Sequence, residues 1–389
     1  MAEAPNMKEP NPMNWKRLFQ PLCVLASIAG GSMSVYAAPA PVDYFTAPVK
    51  MERLLGWGER PDWSPDGTKI VFTDAQNDGQ LAYAFEMDLK TRKVRCLTCH
   101  LGPDAGKVVR IYYLPDGNFL VTRGQDPQSS SPLNAGIYWL SAAADTQPLY
   151  LKAGAMGDIA IARRAKAGGG VSIAWGSRRE DGNWDLTTGT LTGEGSAPTL
   201  GERRTVYHYD PSKPGKISFA EAYDFVDEDR SVAFFTIERP TPNGEMYKID
   251  LTTGALTNLS QSPQHNEAHA FPDDRFVLEE SNRASDPDGP MRGISGFPPQ
   301  ITPWLLDAAG IALPPGAIDT KAPPRYFDLH VAAYDGTGRV RRLTHVSDKG
   351  GDAHQSAPSP DGKQIIFCLE EHESAALKGQ RGLYLMTFQ

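Results

Sequence analysis

From about residue 50 onward, short apolar runs alternate with polar positions at a period of two, broken by clusters of Gly, Pro, Asp and Asn. That alternation predicts half-buried strands, because successive side chains of a strand point to opposite faces of its sheet. The pattern repeats. One unit reads Pro61-Asp62-Trp63-Ser64-Pro65-Asp66-Gly67-Thr68-Lys69-Ile70-Val71-Phe72, and another Ser356-Ala357-Pro358-Ser359-Pro360-Asp361-Gly362-Lys363-Gln364-Ile365-Ile366-Phe367. Weaker copies surround Pro115-Asp116-Gly117 and Pro272-Asp273-Asp274. Each predicts a strand, a tight turn and a second apolar strand: Pro presets φ at one corner of the turn, and Gly supplies the positive φ that follows.

Each copy is followed by a third and a fourth strand. Third strands include Tyr83 to Leu89, Glu245 to Leu251 and Leu383 to Met386, and fourth strands include Val94 to Thr98, Leu256 to Ser260 and Val340 to Thr344. Two eroded units fit between Pro115 and Pro272, around Val171 to Thr190 and Ala220 to Leu251, the second with Val226-Asp227-Glu228-Asp229-Arg230 in place of the turn triplet. Four strands per unit and six units predict an all-β, six-bladed β-propeller. Met51-Glu52-Arg53-Leu54-Leu55 has a fourth-strand pattern with no blade before it, while the chain ends on a third strand, so the N-terminal strand is expected to close the last blade and hide its edge.

The first residues read differently. Lys16 and Arg17 precede an apolar stretch, Leu18 to Ala29, and small residues lead to Val35-Tyr36-Ala37. This predicts a secretory signal over 1–37 with cleavage near Ala37, a linker over 38–49, and a propeller over 50–389 in the periplasm or outside the cell. The stretch is short for a membrane span and is interrupted by Pro21, and no other segment reads as one. Of 389 residues, 40% are hydrophobic and 22% charged, which excludes a disordered chain. A formal net charge of −8 without a Lys/Arg cluster argues against nucleic acid as a partner.

The S-P-D-G turn followed by an apolar strand, with Leu-Thr closing the blade, resembles the TolB-type propeller repeats of exported bacterial proteins. The resemblance covers about residues 50 to 389 and implies a periplasmic propeller that binds other envelope proteins. TolB proteins carry an α/β domain ahead of the propeller, whereas here the predicted signal runs almost directly into blade one, so only the propeller carries over.

Blade position also gathers chemistry. His100, His208, His265 and His345 follow fourth strands, His269 and His354 enter first strands, and His372 lies in a second-to-third-strand loop. Seven of the eight histidines are therefore expected on one face, with Glu59, Asp104, Glu221, Glu267 and Asp352 ahead of the strands that line the channel. His265, Glu267 and His269 alternate, so a strand would point them the same way, and His354 and Gln355 hold the equivalent place one blade later. These five residues are candidate ligands for a divalent metal ion (Mn, Ca or Zn). The arrangement is similar to the manganese site of oligogalacturonate lyases, which would imply a metal-dependent lyase or hydrolase on an acidic carbohydrate. The main expectation is a binding scaffold for an envelope protein or a small acidic ligand.

Cys96-Leu97-Thr98-Cys99-His100 matches the C-x-x-C-H signature for haem c attachment, with His100 as axial ligand. The same residues also read as the ordinary end of a fourth strand, where a close disulfide or two free thiols would sit. Residues 284–325 form an insertion with nine prolines and with Phe297 and Trp304, a lid, a docking arm or a plain surface loop. There is no G-x-S-x-G elbow, Walker loop or dinucleotide fingerprint.

Overall fold

The computed structural model describes residues 42–74, 83–102, 108–124, 134–166, 169–193, 198–209, 220–238, 243–260, 262, 264, 266–285, 326–335, 337–372 and 377–389. They form a six-bladed β-propeller of six four-stranded antiparallel sheets. Blade 1 is β2 (Glu59–Trp63), β3 (Lys69–Thr73), β4 (Ala84–Asp88) and β5 (Val94–Cys96). Blade 2 is β6 (Val108–Tyr113), β7 (Phe119–Gly124), β8 (Ala135–Leu140) and β9 (Leu149–Ala155). Blade 3 is β10 (Ile159–Ala165), β11 (Val171–Arg178), β12 (Trp184–Thr192) and β13 (Thr199–His208), and blade 4 is β14 (Glu221–Val226), β15 (Ser231–Glu238), β16 (Asn243–Asp250) and β17 (Leu256–Asn258). Blade 5 is β18 (Asn266–Ala270), β19 (Phe276–Ser281), β20 (Asp328–Ala333) and β21 (Val340–Arg342). Blade 6 takes β22 (Gly351–Pro358), β23 (Gln364–Glu371) and β24 (Gly382–Phe388) from the C-terminal end and β1 (Val49–Leu55) from the other, as the strand pattern predicts. β1 pairs with β24 from Val49↔Phe388 to Leu55↔Leu383.

The repeat motif has a physical explanation at both of its ends. In the Ser-Pro-Asp-Gly turn, Asp66 Oδ1 accepts hydrogen bonds from the Ser64 hydroxyl and from the Thr68 N–H, and Gly67 takes φ +68°. Asp361 and Gly362 reproduce this turn in blade 6. Blade 4 has no glycine there, so Asp227, Glu228 and Asp229 all adopt left-handed φ, tied down by Lys248 Nζ on the Asp227 carboxylate at 2.8 and 3.0 Å. At the other end, Leu97, Leu259 and Leu343 are buried, and the next hydroxyl accepts the N–H at the start of the third strand: Thr98 from Ala84, Ser260 from Met246, Thr344 from Leu329.

The core is divided among the seams. Each contact between neighbouring blades holds its own apolar cluster, six in all among the described residues. Residues 42–48, expected as linker, dock on the seam between blades 5 and 6: Tyr44 is buried against Phe271 and Phe388, and Arg341 donates to the carbonyls of Tyr44 and Ala47. Residues 1–41 and 286–325, which hold the predicted signal and most of the insertion, lie outside the described residues.

Candidate functional site

The first strand of each blade faces the channel, and these strands carry charge where a packed interior would carry aliphatics. Arg110 on β6 pairs through Nε with Asp158, just ahead of β10; they are 9% and 5% exposed. The Tyr112 hydroxyl donates to Asp158 Oδ1 at 3.2 Å. Glu221, at the start of β14, lies against Asp158. Burial, then the Asp158 charge and their shared hydrogen bond, push the Glu221 carboxyl well above its usual range. For Asp158 burial acts upward, but Arg110 and the Glu221 hydrogen bond outweigh it and hold the carboxylate low.

Neighbouring blades continue the network. The Tyr223 hydroxyl donates to Glu267 Oε2 at 2.9 Å, and His269 Nδ1 lies 3.1 Å from Asp224 Oδ2, which also accepts the Ala270 N–H. Burial works against the charged His269 ring, yet Asp224 raises its pKa overall. Asp62 accepts the Tyr113 N–H across the seam between blades 1 and 2, and burial pushes it up to about 6. Glu280 on β19, raised by burial and then by Glu267, accepts both the N–H and the hydroxyl of Ser356 in blade 6. Arg163 reaches from blade 3 past blade 4 to the carbonyls of Ala270 and Phe271 in blade 5, a bar across the end where the first strands finish. The groove between the Pro65-Asp66-Gly67 and Pro360-Asp361-Gly362 turns offers less, because Asp66 and Asp361 are engaged in their own turns.

Two channel residues are strained. Arg60 and Gln355 hold φ of +55° and +51°, each at a register slip in its first strand, and the Arg60 N–H donates to Gln355 Oε1 at 3.0 Å. Left-handed φ at such residues costs free energy and is concentrated at functional sites. Here it marks the seam where blade 6 meets blade 1.

The predicted ligands do not gather as one set. His265 lies outside the described residues. Among the described residues Glu267, His269 and His354 do not fall in one cluster of donor atoms, and Gln355 Oε1 accepts the Arg60 N–H. His354 instead meets two residues the sequence reading missed. Opposite it on β23 is Cys368, with Glu370 two positions on, and the imidazole nitrogen, thiol sulfur and carboxylate oxygen all lie within 4.8 Å of one another. Among the described residues this is the one such cluster of His, Cys, Asp and Glu. His354 Nε2 is 3.6 Å from Glu370 Oε1, sealed from solvent and without a hydrogen-bond partner. Cys368 is 2% exposed, with Sγ 3.5 Å from the Gly58 carbonyl. His354 holds the Glu370 carboxyl down at about 2, while burial raises the Cys368 thiol.

Cys96 and Cys99 form a disulfide, with the Cys99 N–H donating to Cys96 Sγ. Thioether attachment of haem would require that bond to open. His100 rests its Nε2 against the Thr146 carbonyl at 3.2 Å.

No protein-family model matches the chain. A phosphinomethylmalate isomerase of Streptomyces viridochromogenes is 31% identical over 125 residues, which cover 28% of this chain and only 14% of that protein. Among solved structures, a TolB-type protein of Agrobacterium tumefaciens is similar at 17% identity and TM-score 0.46, covering 74% of this chain and 78% of that one. An oligogalacturonate lyase in complex with manganese is similar at 12% identity and TM-score 0.44, covering 88% and 94%. These likenesses do not extend to ligand or reaction. The six four-stranded blades are the architecture that the TolB-type repeat implies. No helix among the described residues is long and apolar enough to cross a membrane.

Proposed function

We propose that this protein is an exported propeller that works as a binding module, holding a cationic group of its ligand or protein partner in the channel. The observation that carries this reading is the acid surplus along the first strands: Asp62, Asp158, Glu221, Asp224, Glu267 and Glu280 are set against Arg60, Arg110, Arg163 and His269. Buried carboxyls such as Asp62, Glu221 and Glu280, pushed upward first by burial and then by neighbouring acids, are sites where an added positive charge is stabilised. The surplus favours an amine or guanidinium over the small acidic ligand suggested by the histidine pattern. Export rests on the Lys16-Arg17 leader and the Ala37 cleavage pattern.

Isothermal titration with spermidine, arginine amide and trigalacturonate tests the reading. A cationic probe is expected to bind, and Glu267→Gln to weaken it at least about tenfold, the cost of a lost charge-assisted contact. Binding of the uronate with no response to either cation would overturn the reading and favour the lyase alternative. N-terminal sequencing of protein recovered from the periplasmic fraction tests export, with a start near Ala38 expected.

A further inference from the structure

The His354, Cys368 and Glu370 cluster lies apart from the acid network and calls for its own account. Its side chains project from β22 and β23 towards blade 1, where Cys368 meets the Gly58 carbonyl. Glu59, the first residue of β2, is close enough for its charge to act on both Cys368 and Glu370. Imidazole, thiol and one carboxylate of blade 6 thus converge on the face that meets blade 1 at the ring closure.

We propose that these residues form a zinc site on the face of blade 6 turned towards blade 1, with Cys368 Sγ, His354 Nε2 and Glu370 as ligands. The donor set selects the metal. A thiolate beside imidazole and carboxylate suits zinc and is poorly matched to Mn²⁺ or Ca²⁺, which take oxygen-rich shells. Spacing agrees as well: two light ligands about 2.0–2.1 Å from a tetrahedral ion stand about 3.3 Å apart, and His354 Nε2 and Glu370 Oε1 are 3.6 Å apart. His354 Nε2 adds a geometric sign: it is sealed from solvent and faces Glu370 Oε1 at 3.6 Å, beyond normal hydrogen-bond length, a gap that an ion between the two would close. Cys368 is also available as a ligand. Cys96 and Cys99 are bonded to each other, and among the described residues Cys368 is the free cysteine. On binding, the Cys368 thiol proton and any proton that His354 Nε2 shares with Glu370 leave to solvent, so that the sulfur coordinates as thiolate and the ring through its free lone pair.

The test is a titration of the full chain, stripped of metal under mild reduction, with Co²⁺ and then Zn²⁺. Cobalt is expected to give a thiolate-to-metal charge-transfer band that saturates at one equivalent and is abolished by zinc. Zinc is expected to raise the thermal midpoint by a few degrees over chelator-treated protein. Cys368→Ser should lose the band and weaken zinc binding at least about tenfold, while the Cys96→Ser/Cys99→Ser double variant should keep it. Should Cys368→Ser fail to fold by circular dichroism, Glu370→Gln takes its place, expected to retain the sulfur band at weakened affinity. A wild-type chain with no such band, or a band that survives in Cys368→Ser, overturns the site.

Discussion

The two faces of blade 6 are built from one strand and do opposite things. Along β23, Ile365, Phe367 and Leu369 point towards blade 5 and pack with Phe271, Leu278, Leu329 and Val331 in a mainly apolar seam, extended by Tyr44. The alternate residues Ile366, Cys368 and Glu370 point towards blade 1. Ile366 joins Trp63, Phe72 and Leu383, but the next two positions along the face are polar. A seam that only had to hold two sheets together would be apolar along its whole length, as the blade 5 side nearly is. The polar half towards blade 1, with strained Arg60 and Gln355 beside it, signals chemistry kept at a cost in packing.

Removing the apolar anchor should break the comparison most severely. Phe367→Ala leaves a cavity in a sealed seam and is expected to cost about 3–5 kcal/mol, read as a shift in the urea midpoint at unchanged slope. The polar seam between blades 1 and 2 provides a pH lever. Asp62 has its folded-state pKa raised to about 6, so its proton is held more tightly when folded, and its contribution to stability falls as pH rises from about 4 to 6. Asp62→Asn can still accept the Tyr113 N–H without the buried charge. It should stabilise the protein at pH 7 by up to about 3 kcal/mol, with the gain absent in unfolding curves at pH 4. A Phe367 variant should show no comparable pH dependence.

Glu280 tests a polar contact that crosses to blade 6 from the blade 5 side. Glu280→Ala leaves the Ser356 N–H and hydroxyl unpaired and should cost about 1–3 kcal/mol, while Glu280→Gln, which keeps an acceptor, should cost less than half as much in the same denaturation assay. The smallest effect belongs to the proposed zinc site without its ion. In metal-free protein, Cys368→Ala removes one buried sulfur and should change stability by about 1 kcal/mol.

Sequence alone carried the repeat and its closure, because the Pro-Asp-Gly turn and the Leu-Thr ending each perform a local task with local residues. Even blade 4 was legible, since Val226 to Arg230 occupies the turn position without its glycine. The site was less so, and β22 shows why. Counting back from its hairpin turn, Pro358↔Ile365 and Ala357↔Ile366 would set His354 opposite Leu369, a residue that faces blade 5. The irregularity between His354 and Ala357 shifts the register by one, to Cys368, and so brings thiol and imidazole onto the same face. No composition or motif announces that slip. Arg110 with Asp158 was likewise hidden, because each residue lies in a different blade and neither is a histidine. Glu267 and His269 lie on β18 as the alternation suggested, with contacts to Tyr223 and Asp224 in blade 4 that no local pattern indicates.

X-ray absorption at the zinc edge, on the zinc-loaded full chain, tests the contrast between the two faces of blade 6 most directly. The expected shell holds one sulfur at about 2.3 Å with nitrogen and oxygen ligands at about 2.0–2.1 Å, because among the described residues Cys368 is the free cysteine. A shell without sulfur, or a chain that retains no zinc after dialysis, would contradict the assignment and leave the polar half of that seam without a ligand.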